Sequence, residues 1–148
     1  MTRAFRFLSA EQVIRIHDAL LETYGGAQGG GHRGPAFEGV DAAVQAVKNS
    51  YYDEPRELAA AYAVYIVQGH VFLDGNKRGG SGAMLVFLAA RGIELRFDPD
   101  DLARVMIELQ ARAEAGAGTS TLVAWLAGWL DDHRTPHMER PVPKRRKR

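Results

Sequence analysis

The sequence predicts a mostly helical domain of about six helices with at most a short β element. Three observations carry this. Apolar residues recur at helical spacing in most segments of the 148-residue chain. Helix-start signals precede several of these segments. Sequence that reads as extended is confined to Ile93–Phe97.

The elements follow in order. Ser9-Ala10-Glu11-Gln12 reads as a capping box, with the serine oxygen meeting an early N–H and the glutamine reaching back. Val13, Ile14, His17, Leu20 and Leu21 then share one helical face, and Tyr24-Gly25-Gly26 ends the helix. Gly25–Pro35 holds six glycines in eleven residues and reads as a mobile loop. A second helix is expected over Phe37–Val47. A third begins with Pro55 in its first turn and runs to Gln68, with Leu58, Ala61, Tyr62, Tyr65 and Ile66 facing inward. Gly69–Gly80 interrupts the pattern. A buried helix is expected to begin near Gly80, run through the apolar stretch Ala83–Ala90 and end near Gly92. Asp98 reads as the cap of a helix with Pro99 at its first position, reaching about Ala113. After the turn Gly116-Ala117-Gly118, Ser120 reads as the cap of a last helix, Leu122–Asp131, with Trp125 and Trp129 as core anchors.

Length and content fit one domain, residues 1–133, followed by a tail, 134–148. Three prolines and a charge run in the tail predict disorder. The chain has no cysteine, which excludes disulfides and thiolate metal sites. It shows no signal peptide and no apolar run long enough to span a membrane, so a cytoplasmic location is expected. The net charge of +1 conceals an asymmetry: residues 139–148 carry six basic side chains and one acid, +5 together, which leaves −4 elsewhere. Nucleic-acid contact would therefore have to come through the tail.

The chemistry concentrates in His70-Val71-Phe72-Leu73-Asp74-Gly75-Asn76-Lys77-Arg78-Gly79-Gly80-Ser81-Gly82. A loop leading into a helix aims free N–H groups and the positive end of the helix at one place, which suits an anion. Gly75, Gly79 and Gly80 allow close approach of a ligand to the backbone. Lys77 and Arg78 add positive charge, the arginine in a fork matched to phosphate oxygens. Asp74 is a hard oxygen ligand suited to Mg²⁺ on a phosphate. His70 can be neutral near pH 7 and accept a proton from a hydroxyl. Together these parts describe phosphoryl or nucleotidyl transfer. No G-x-x-x-x-G-K-[ST] spacing occurs, and Leu85 stands where a dinucleotide fingerprint needs its third glycine.

His70-x-Phe72-x-Asp74-Gly75-Asn76-Lys77-Arg78 resembles the Fic/Doc signature H-x-F-x-[DE]-G-N-x-R, and Asn76-Lys77-Arg78 is similar to its death-on-curing (Doc) branch. In outline the resemblance runs from about Phe7 to Trp129, taking in Leu8–Gln12, His17-Asp18, Tyr24-Gly25-Gly26 and Arg91-Gly92-Ile93. It implies a helical fold whose loop binds ATP with Mg²⁺. His70 would be the general base, Asp74 the metal-facing carboxylate, and Asn76, Lys77 and Arg78 the phosphate grip, with Phe72 anchoring the loop. It further implies transfer of the terminal phosphate to a hydroxyl of a target protein, such as elongation factor Tu, and neutralisation by a small antitoxin. Two positions depart from the pattern. AMP-transferring Fic proteins have a second arginine where this chain has Ser81, a residue that could partly substitute as a phosphate donor. Doc-type proteins have an asparagine where this chain has Gly82. The alternatives are AMP transfer and a catalytically weak binding module.

Other candidates have plainer readings. His17 reads as structural, packed beneath the site. Gly25–Pro35 is either a linker or, by the resemblance, close to the flap that holds a target. His133 and His137 are four apart, but Pro136 disrupts a helix between them, which argues against a metal pair.

Overall fold

The computed structural model describes residues 7–24, 35–69 and 76–133. Six helices occur among them: α1 Ala10–Tyr24, α2 Pro35–Lys48, α3 Pro55–Gly69, α4 Asn76–Ala89, α5 Pro99–Glu114 and α6 Thr119–Asp132. The expected mostly-α class is what the chain adopts. The side chain of Leu21, most of the glycine-rich loop, the His70–Gly75 part of the motif and the tail with His137 lie outside the described residues.

The helix α3 is the centre. It packs against α2, α4, α5 and α6, while α1 packs against α2 and α4. Its sequence explains the position, because every residue from Leu58 to Val64 is buried, followed by Ile66 and Val67. A helix that is apolar all round has to be covered all round. Four alanines on it (Ala59, Ala60, Ala61, Ala63) keep its surface low, so neighbouring backbones come close. Tyr65, expected inward, is only half-buried.

The first helix starts as read. Ser9 N–H donates to Gln12 Oε1 at 2.8 Å, and Gln12 N–H donates to Ser9 Oγ at 3.1 Å. Val13, Ile14 and His17 are buried on its inner face. The chain entering it is pinned to the core, since Leu8 N–H donates to Tyr62 Oη at 2.9 Å. Burial pushes the Tyr62 hydroxyl up to about 12, although the Leu8 bond acts in the opposite direction. Tyr62→Phe removes the acceptor and leaves a buried N–H unpaired, with an expected cost of about 1–3 kcal/mol in urea unfolding. The pH dependence is fixed in direction. Tyr62 ionises less readily folded than unfolded, so its stabilisation is complete below about pH 10 and lost as pH rises through about 12. Tyr52 and Tyr65 are raised in the same direction, both chiefly by burial. Tyr62→Phe should therefore flatten the alkaline loss of stability without abolishing it.

Four boundaries differ from the sequence reading. Helix α2 begins at Pro35, two residues early, because proline suits a first turn. Helix α4 begins at Asn76 rather than near Gly80. Asp98 occupies the N-cap of α5 without a side-chain cap bond, and its carbonyl instead accepts from Asp101 N–H at 2.8 Å. Helix α6 is capped by Gly118, not Ser120, which lies inside the helix. The stretch Ile93–Phe97 holds a single bridging residue, Leu95, and Arg96 N–H donates to the His133 carbonyl at 2.6 Å. Two glycines with positive φ end helices: Gly92 (75°) after α4 and Gly116 (97°) after α5. Beyond each, an N–H turns back to the helix, from Ile93 to the Leu88 carbonyl at 3.1 Å and from Ala117 to the Arg112 carbonyl at 3.0 Å.

Trp125 and Trp129 pack half-buried against the core, as core anchors would. The Arg112 guanidinium lies 4.6 Å from the Trp125 ring centre. Trp129 has Phe97 at 5.7 Å and stacks on His133 at 4.1 Å. His133 Nδ1 also lies 2.7 Å from the Trp129 carbonyl, which accepts if that nitrogen carries the proton. Among the described residues no three His, Asp or Glu side chains are grouped to hold a metal, and no helix is long and apolar enough to cross a membrane.

Candidate functional site

Asn76, Lys77 and Arg78 form the first turn of α4. N–H groups in a first helical turn have no acceptor within their own helix, and the helix dipole makes that end positive. Helices usually offset this with Asp or Glu. The first turn of α4 has no acid and instead carries Lys77 and Arg78. Stability alone disfavours cations there. An anion held at the turn would relieve the repulsion, so the residues present suit a polyphosphate. Arg78 is exposed, while Asn76 and Lys77 are half-buried.

The turn is held by close helix contacts. Gly79 and Gly80 are buried. A methyl group at Gly80 would stand 3.2 Å from the Ala63 carbonyl oxygen and 3.3 Å from Ala63 Cα. Both are backbone atoms of α3 and cannot step aside. At Gly82 a side chain would meet α1, with Ile16 Cγ2 at 2.6 Å and Leu20 Cδ1 at 2.9 Å. The helix thus spends its small residues on fitting between α3 and α1. Glycine at 80 is required by packing, whatever else approaches the backbone. Ser81 Oγ donates to the Arg78 carbonyl at 3.1 Å, directing the hydroxyl proton along its own helix.

His17 is fully buried on α1, with Nδ1 3.3 Å from Asp18 Oδ1, in keeping with a structural role. His70, Asp74 and Gly75, expected as general base, metal ligand and phosphate contact, lie outside the described residues. His70 follows Gly69, the last residue of α3, and Gly75 precedes α4.

The structure adds polar residues that the motif does not contain. Lys77 Nζ donates to Gln110 Oε1 at 2.9 Å, joining α4 to α5 across 33 positions. Gln110 Nε2 donates to Glu114 Oε2 at 2.9 Å. Thr119 Oγ1 donates to Gln68 Oε1 at 2.9 Å, joining α6 to the last turn of α3. A cleft of about 340 Å³, lined by Val67, Gln68, Gln110, Ala113 and Glu114, opens between these pairs. Gln110 and Glu114 could be read as neighbours on one helix from their i,i+4 spacing, but no local pattern ties them to Lys77.

Two comparisons bear on this arrangement. The model of the Fic/DOC family matches residues 7–88. The "Protein kinase doc" of Escherichia phage P1 is 36% identical over 103 residues, which is 69% of this chain and 80% of that protein. A matched span from α1 to the end of α4, with a relative this similar over most of its length, assigns the chain to the Fic/DOC family.

Proposed function

We propose that the protein transfers the terminal phosphate of ATP to a hydroxyl group of a target protein, as a Doc-type toxin restrained by a small antitoxin. The single observation that carries this is the acid-free, doubly cationic first turn of α4, set in a chain that is 36% identical to a protein named as a kinase. Asn76, Lys77 and Arg78 would hold the phosphates, with backbone N–H groups of Gly79 and Gly80 adding to the positive end of the helix. His70 would take the proton of the attacking hydroxyl as the new P–O bond forms, and ADP would leave with the electrons of the broken bond. Mg²⁺, for which Asp74 is the candidate ligand, would neutralise charge on the phosphates. Catalysis of this kind is mostly positioning and charge stabilisation, the work a rigid helical frame does well. The target, for which a translation factor is the working candidate, would present a Ser, Thr or Tyr side chain.

AMP transfer draws less support. It would need a second cation where Ser81 stands, and Ser81 spends its proton on the Arg78 carbonyl. The two reactions separate cleanly with labelled nucleotide. Bacterial lysate, purified protein and Mg²⁺ are incubated with ATP labelled at the γ or the α phosphate. Protein-bound label is expected from γ-labelled ATP only. Label from the α position would replace the proposal with AMP transfer, and label from neither would leave only the binding module.

A further inference from the structure

We propose that Gln110 is a positioning residue for Lys77, clamped in turn by Glu114, so that the ammonium is held in place before nucleotide arrives. The inference rests on the reading of the α4 first turn as the phosphate grip.

Valence fixes the orientation of the amide. An ammonium can only donate and a carboxylate can only accept. Gln110 therefore has one satisfactory arrangement, with Oε1 on Lys77 Nζ at 2.9 Å and Nε2 on Glu114 Oε2 at 2.9 Å. Rotating the amide by half a turn would set N–H against ammonium and oxygen against carboxylate. Glu114 thus holds the amide from four residues along α5, and the amide holds the lysine from another helix.

The chemistry of the link explains its use. A carboxylate placed directly on Lys77 would cancel the charge that a phosphate needs. A neutral carbonyl restricts the lysine while leaving its full positive charge available. Glu114 sits one side chain further away, with Gln110 as the spacer. A free lysine loses considerable rotamer freedom when it binds an anion, and prior restriction removes part of that cost. Lys77 is also half-buried and bonded at only one of its three donor positions in the described structure, so donors are left for phosphate oxygens. The same contact could in principle withhold Lys77 instead. A neutral partner, rather than a paired carboxylate, favours the positioning role, and the two roles predict opposite signs.

The test is calorimetric titration of the full chain with Mg·ATP, for wild type, Gln110→Met, Lys77→Met and the double variant. Methionine keeps the length of glutamine and removes both hydrogen bonds. Gln110→Met is expected to weaken binding about tenfold, and the double variant to bind no more weakly than Lys77→Met alone. In turnover the KM for ATP should rise more than kcat falls. Glu114 is exposed, so its variants test the clamp without touching the core. Glu114→Ala should lose part of the affinity, and Glu114→Gln, which keeps an acceptor oxygen, should restore most of it. Unchanged or tighter binding by Gln110→Met overturns the positioning role while leaving the kinase reading standing. So do additive losses in the double variant, which would mark a purely structural effect. No binding by wild type overturns both.

Discussion

His70→Ala is expected to lower phosphate transfer by about 10²–10⁴-fold, the usual contribution of a positioned acid–base group, or roughly 3–5 kcal/mol of barrier. Binding of Mg·ATP should change little, because the proposed phosphate contacts come from α4 and from side chains that His70 does not carry. The split distinguishes a base from a phosphate ligand. The measurement is γ-label transfer at saturating nucleotide beside equilibrium binding. The histidine directly follows α3, the most deeply buried helix of the molecule. Thermal melting should therefore accompany the assay, to show that loss of transfer is not loss of fold. A variant that melts normally and transfers label at the wild-type rate would end the general-base assignment.

The largest stability effect is expected at Phe87→Ala. Phe87 is fully buried on α4, with the Tyr62 ring 5.3 Å away and the Arg91 guanidinium 4.1 Å from its ring centre. Its removal leaves a cavity between α3 and α4 and takes away the ring on which Arg91 lies. A phenylalanine truncated in a packed core costs about 3–5 kcal/mol, a large part of the total stability of an ordinary domain. Chemical unfolding should show the midpoint falling with little change in slope. The effect should reach function too, since α4 carries Asn76, Lys77 and Arg78 at its other end. Nucleotide binding should weaken at temperatures where the variant is still mostly folded. A loss below about 1 kcal/mol would mean that the interface between α3 and α4 repacks more freely than its alanines and glycines imply.

Much of this was legible in the sequence because the signals are local. The Ser9–Gln12 box, Pro55 and Pro99 at helix starts, and the glycine stops at Gly92 and Gly116 all act within a few residues of where they are read. The motif was legible for the same reason, as its residues are consecutive. The start of α4 was not. Gly79, Gly80 and Gly82 read as a break, since each glycine costs about 1 kcal/mol in a helix relative to alanine. Contacts with Ala63 on α3 and with Ile16 and Leu20 on α1 offset that cost, and those partners are remote in sequence. Ser120 failed as a cap because Gly118 turns the chain first and Thr119 is engaged with Gln68 on α3. The Lys77–Gln110 bond was invisible for the plainest reason: it joins two polar residues on different helices, and nothing near either one announces the other.

The fit of α1 against Gly82 bears on the history open to this chain. Where Doc-type relatives place an asparagine, any side chain here would collide with Ile16 and Leu20. Regaining that amide by one replacement would drive α1 outward, so ancestral and present states are separated by a valley of poorly folded intermediates. Trimming the two aliphatic residues first would open a void instead. The three positions are entrenched together, and descendants would have to exchange them as a set.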